Sequence, residues 1–81
     1  MQSGSATRAA AEVGANAEFE DAQTGERSVY LLVPQAQSDV AHGRLSVESP
    51  VGRALVGRRA GETIVVVTPK GRRRLRLIAV R

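Results

Sequence analysis

The chain has no cysteine and no tryptophan, and one residue each of phenylalanine, tyrosine, histidine and methionine among its 81. Without thiols there are no disulfides and no thiolate metal site, and the composition fits a reducing compartment. His42 stands alone, with no second histidine and no carboxylate pair at ligand spacing. It reads as an ordinary loop residue, and neither a metal nor a cofactor is expected. No apolar run approaches the ~18 residues of a membrane span, and the N-terminus lacks the apolar core of a signal peptide. The expectation is a soluble cytoplasmic protein with no membrane contact. A glycine loop ending in Gly-Lys-Ser/Thr, a dinucleotide fingerprint after a strand and a Gly-x-Ser-x-Gly elbow are also absent. Their absence removes the common phosphate-binding, dinucleotide-binding and serine-hydrolase templates.

What is present is charge, unevenly placed. The formal net charge is +4, yet residues 1–40 carry two bases and six acids while residues 41–81 carry ten bases and two acids. Eleven of the twelve bases are arginine, whose planar fork suits carboxylate and phosphate partners. A chain this short makes one domain, near the lower limit of what folds without staples.

Residues 1–14 open in Gly and Ser and run through Ala without a durable apolar face. They read as a disordered tail or linker, or as the stub of a longer helical arm, since one or two isolated helical turns are marginal in water. The domain is expected over residues 15–81. Residues 17–21 and 27–33 predict two strands joined by a turn at Thr24-Gly25. In the second, Val29, Leu31 and Val33 share one face and Tyr30 and Leu32 the other, which predicts a strand inside a sheet. Phe19 and Tyr30 are packing residues. Residues 34–43, polar and punctuated at both ends, predict a loop. In 62–68 the run Ile64-Val65-Val66-Val67 is β-branched throughout without alternation, predicting a central strand buried on both faces. Thr68-Pro69-Lys70-Gly71 makes a reversal. The last strand, 72–80, puts Arg72, Arg74 and Arg76 on one face with Ile78 and Val80, and Leu75, Leu77 and Ala79 on the other. Three guanidinium groups along about 14 Å, at a rise of roughly 3.4 Å per residue, repel unless something acidic faces them. The candidates are the acidic first hairpin, a phosphate backbone or an acidic partner.

The stretch that organises the chain is 44–57, RLSVESPVGRALVG. An extended arm, 44–48, turns at Ser49-Pro50 into a short helix that Gly57 stops. Ser49 is a preferred N-cap, because its hydroxyl accepts a bond from an orphan first-turn amide, and Pro50 is pre-set for the first helical position. Val51, Ala54 and Leu55 form one apolar stripe while Arg53 points elsewhere. Gly57 fits the left-handed position that ends many helices.

The succession Leu45-Ser46-Val47-Glu48-Ser49-Pro50, Arg53-Ala54-Leu55-Val56-Gly57, Gly61-Glu62 and Thr68-Pro69-Lys70-Gly71, with the upstream turn Glu20-Asp21-Ala22-Gln23-Thr24-Gly25-Glu26, resembles the C-terminal domain of the bacterial Gre transcript-cleavage factors. The regulator of nucleoside diphosphate kinase carries a similar domain. The likeness covers residues 14–81 and implies an FKBP-like α+β fold: a twisted antiparallel sheet of four or five strands with one short helix. The expected core is Phe19, Val29, Leu31, Val33, Leu45, Val47, Val51, Leu55, Ile64, Val66, Leu75, Leu77 and either Ile78 or Val80.

The resemblance also implies a noncatalytic module. In the Gre family this domain docks on bacterial RNA polymerase at the rim of the secondary channel, against a coiled coil of the largest catalytic subunit, with the acid-Ser-Pro corner at the contact. Carried across, this names Glu48, Ser49 and Pro50, with Arg53 beside them; Glu48 stands where the family often has Asp. Transcript cleavage in the family needs an N-terminal coiled-coil finger, which fourteen residues cannot supply, so none is expected of this chain by itself. Prolyl isomerisation, known for the FKBP fold, needs a cluster of aromatics that Phe19 and Tyr30 do not make. The last hairpin departs from the family, which commonly alternates acidic and apolar residues there. It leaves open a second class, a small basic nucleic-acid-binding domain using Lys70, Arg72, Arg74 and Arg76 in weak, nonspecific, salt-dependent contact. With only Phe19 and Tyr30, no stacking platform for bases is expected.

Overall fold

The computed structural model describes residues 9–81. Strands β1 (Asn16–Asp21), β2 (Arg27–Val33), β3 (Arg44–Ser46), β4 (Thr63–Thr68) and β5 (Gly71–Val80) form one sheet in the order β3-β2-β1-β5-β4, and helix α1 (Pro50–Leu55) lies between β3 and β4 in sequence. The β1–β2, β1–β5 and β4–β5 pairings are antiparallel. The short β2–β3 pairing is parallel, which makes the sheet mixed. Its cause lies in 34–43, where two single 3-10 turns, Gln35–Gln37 and Val40–His42, carry the chain back before it runs beside β2 in the same direction.

One face of the sheet is apolar. Ala17, Phe19, Leu32, Leu45, Leu55, Ile64, Val66, Leu75 and Leu77 are buried there, and α1 closes over the β4 end by inserting Leu55. Burying a leucine stabilises by roughly 1.5–3 kcal/mol, so Leu55, with Val51 and Ala54 also packed on the core, holds a short helix that would not form alone. Phe19 and Tyr30 stack with ring centroids 6.0 Å apart.

Four expectations are corrected. In β2, the register sets Ala17 against Tyr30 and Phe19 against Ser28. Opposed residues share a face, so the buried side of β1 draws Tyr30 and Leu32 inward and turns Val29 outward, where it is 51% exposed. In β4, Ile64 and Val66 are buried but Val65 and Val67 are 55% and 70% exposed, because β4 is an edge strand. Its β-branched run suits a pleated backbone whether or not both faces are covered. In β5, Glu18 opposes Ala79 and Phe19 opposes Leu77, leaving Ile78 as an extra residue. This bulge reverses the alternation, so Val80 shares the inner face with Leu77 and packs on the core instead of joining the arginine face. At the N-terminus, Ala11 is 1% exposed. Its amide donates to the Arg58 carbonyl and its carbonyl accepts from the Gly57 amide, both at 2.8 Å. The packed unit therefore includes residues 11–14, which the sequence assigns to a tail; residues 1–8 of that tail lie outside the described residues.

Gly57 has the expected positive φ, 86°. Gly52, inside α1, is required for a different reason: a Cβ there would fall against the main-chain carbonyl of Ser46, far inside contact distance. Gly52→Ala should destabilise the domain by at least the upper part of the roughly 1–3 kcal/mol typical of overpacking. That outweighs the ~1 kcal/mol of helix propensity that alanine adds. Urea unfolding reads the difference, and a midpoint at or above that of the parent would contradict the packing described.

Candidate docking site

The corner before α1 is built on Ser46, which is buried. Its carbonyl accepts from the Ser49 amide at 3.1 Å and from the Ser49 hydroxyl at 2.7 Å. Its own hydroxyl accepts from the Glu48 amide at 2.9 Å and donates to Gln35 Oε1. Ser49 Oγ in turn accepts from the Gly52 amide at 3.1 Å, the N-cap bond expected from Ser-Pro. The Ser49 hydroxyl thus both donates and accepts within the main chain, on a residue that is half-buried.

Glu48, Pro50 and Arg53 are exposed, and together with Ala54, Val65, Val66 and Val67 they line an open groove of about 430 Å³ between α1 and β4. Three consecutive β4 residues line it, so it runs along the strand's edge, and no strand lies beyond β4 in the sheet. The lining is mixed, with Pro50, Ala54 and the three valines beside the Glu48 carboxylate and the Arg53 guanidinium. Among the described residues, neither Glu48 nor Arg53 makes an ion pair. Both charges are open to a partner, and the strand edge offers main-chain donors and acceptors to an extended segment. Val65 and Val67 escape sequence reasoning as site residues; the uninterrupted β-branched run was the available signal, since an edge strand satisfies it as well as a central one.

Of the other predicted residues, Lys70, Arg72, Arg74 and Arg76 lie on the β4–β5 hairpin outside this groove. The turn at Pro69–Lys70 forms as expected, with Thr68 opposite Gly71 and the Thr68 hydroxyl donating to the Gly71 carbonyl at 2.9 Å. Arg73 behaves differently from its neighbours. It faces Asp21 on the inner side at 3.4 Å, and Asp21 also accepts from the Gln23 and Thr24 amides at 2.8 and 3.2 Å, shaping the first hairpin turn. His42 contacts Asp39 at 2.8 Å in the exposed β2–β3 connection, and among the described residues no group of metal-ligand type is assembled. Among the described residues, no helix is long and apolar enough to cross a membrane.

The domain is thus a five-stranded mixed sheet with one capped helix, and Glu48 and Pro50 are exposed at the corner before that helix. The family model described as transcription elongation factor, GreA/GreB, C-terminal, matches residues 6–81, and the chain belongs to that family. It is 44% identical over 68 residues to a transcription elongation factor GreA of Syntrophobacter fumaroxidans, and 41% identical over 68 residues to that of Azorhizobium caulinodans, covering 84% of this chain in each case. The chain spans less than half the length of these relatives, 44% and 43%. Among solved structures, the GreA factor homolog 1 (Gfh1) of Thermus thermophilus matches with a TM-score of 0.77 at 34% identity, covering all of this chain and 53% of Gfh1. The GreA/GreB factor of Nitrosomonas europaea matches with a TM-score of 0.67 at 28% identity, covering 84% and 57%.

Asp21 is 6% exposed, whereas the Arg73 guanidinium is half in water. Asp21→Ala should cost about 1–3 kcal/mol through the lost charged acceptor, and Arg73→Gln less than about 1 kcal/mol. Thermal unfolding of the two variants orders them; a larger loss in Arg73→Gln would show that the ion pair, not the turn, carries the effect.

Proposed function

We propose that this domain is an RNA polymerase-docking module of a Gre-type elongation factor, binding at the secondary-channel rim through Glu48, Pro50 and Arg53, with Ser49 holding the corner. The observation that carries the reading is that Glu48 and Pro50 of the acid-Ser-Pro corner, which the family resemblance points to, are exposed and line a groove of mixed polarity with unpaired charges. A mixed groove of this kind suits a helical or extended protein segment better than a small substrate. Apolar contact supplies affinity, while the rim charges set register and exclude wrong partners. The module has no transcript-cleavage activity of its own: in the family that chemistry belongs to the N-terminal finger, and the groove holds no catalytic constellation. Ser49 is tied into the main chain and His42 is not among the groove residues.

Calorimetric titration into bacterial RNA polymerase, and into a fragment carrying the coiled coil of the largest subunit, should give binding to both. Glu48→Arg with Pro50→Ala should weaken it by at least ten-fold, about 1.4 kcal/mol. In a backtracked-complex assay the domain should produce no cleavage and should compete with a full-length cleavage factor. Unchanged affinity in the double variant, or absence of binding at low salt, would remove the docking proposal.

A further inference from the structure

We propose that the solvent-facing side of the β4–β5 ribbon is a sequence-independent binding surface for the phosphate backbone of nucleic acid. Arg72, Arg74 and Arg76 are exposed in β5, on the face opposite buried Leu75 and Leu77. The register sets them beside Val67, Val65 and Thr63 of β4. On the other flank lies β1, whose acids are already engaged. Glu20, opposite Arg76, stands 4.0 Å from Arg27, and Glu18 stands 3.1 Å from Arg81. Asp21, the last residue of β1, turns to the inner face and meets Arg73. Because β1 ends opposite Leu75, Arg74 and Arg72 continue past the last acidic strand residue, with exposed valines as their β4 neighbours. Among the described residues, Arg72, Arg74 and Arg76 make no ion pair. Lys70 at the turn extends the row.

A linear polyanion answers this geometry. The guanidiniums alternate along about 14 Å of one strand, and duplex DNA offers about one charge per 1.7 Å of axis, so several phosphates fall within the row in any register. Arginine forks suit phosphate oxygens in particular. Base reading has no support here, because Phe19 and Tyr30 stack on each other against the core. The contact is therefore with the backbone alone. It borders the groove at Val65 and Val67 but shares none of its charged residues, and it does not rest on polymerase docking.

Fluorescence anisotropy of a short labelled DNA duplex tests it. Three neutralised phosphates give a log–log salt slope of about −2.7, hence a roughly forty-fold loss of affinity between about 50 and 200 mM salt. Arg72→Gln/Arg74→Gln/Arg76→Gln should bind at least ten-fold more weakly at low salt with a flattened slope. The triple Lys variant, which keeps the charge, should retain the slope. No anisotropy change at low salt, or equal binding by the triple Gln variant, would overturn the proposal. So would polyglutamate competing as well as unlabelled duplex, which would assign the face to an acidic protein.

Discussion

The peptide carbonyl of Ser46 is the joint on which the path from β3 into α1 turns. It receives both the amide and the hydroxyl of Ser49, while the Ser46 hydroxyl receives the amide of Glu48. An unpaired buried polar group costs about 1–3 kcal/mol, so these partners hold the chain to one path from β3 into α1. Gly52 completes the joint by having nothing to put against the same carbonyl. Once the main chain and the two serine hydroxyls are committed to one another, Glu48, Pro50 and Arg53 are left to face solvent. The exposed surface at this corner is thus the remainder of a hydrogen-bonded turn whose own demands are met internally.

The electrical asymmetry of the sequence is folded into an interleaved sheet. The acidic strand β1 sits between β2 and the basic strand β5, so Glu18, Glu20 and Asp21 meet Arg81, Arg27 and Arg73. Exposed pairs of this kind are worth little in stability, about 0–1 kcal/mol each. Their larger effect is on what they leave over. With the acids engaged near the sheet centre, the unanswered positive charge collects on the β4–β5 ribbon. The β4 edge itself, Thr63–Thr68, carries no charge, and with Val65 and Val67 exposed it is open to pairing with an added segment.

Much of the local structure was legible from residue types. The Ser-Pro cap, the positive φ of Gly57 and the Pro69–Lys70 reversal follow from steric and hydrogen-bonding rules that act within a few residues. The inward pair Leu75 and Leu77 was equally plain. The choice of face in β2 was not, because Val29, Leu31 and Val33 are as apolar as Tyr30 and Leu32, and only the register with β1 decides between them. The same holds for Ala11, whose burial depends on main-chain bonds to residues nearly fifty positions away.

By itself, then, the sequence determined the elements, their caps and the corner that bears Glu48, since each is settled by neighbours along the chain. Only the tertiary structure decided that β4 is an edge, that a bulge at Ile78 returns Val80 to the core, and that Glu48, Arg53, Val65 and Val67 share one groove. The reason is physical. A strand's pattern says which residues alternate, but which side is wet, and what lies beside it, is set by the strand it pairs with and the order in which the sheet closes.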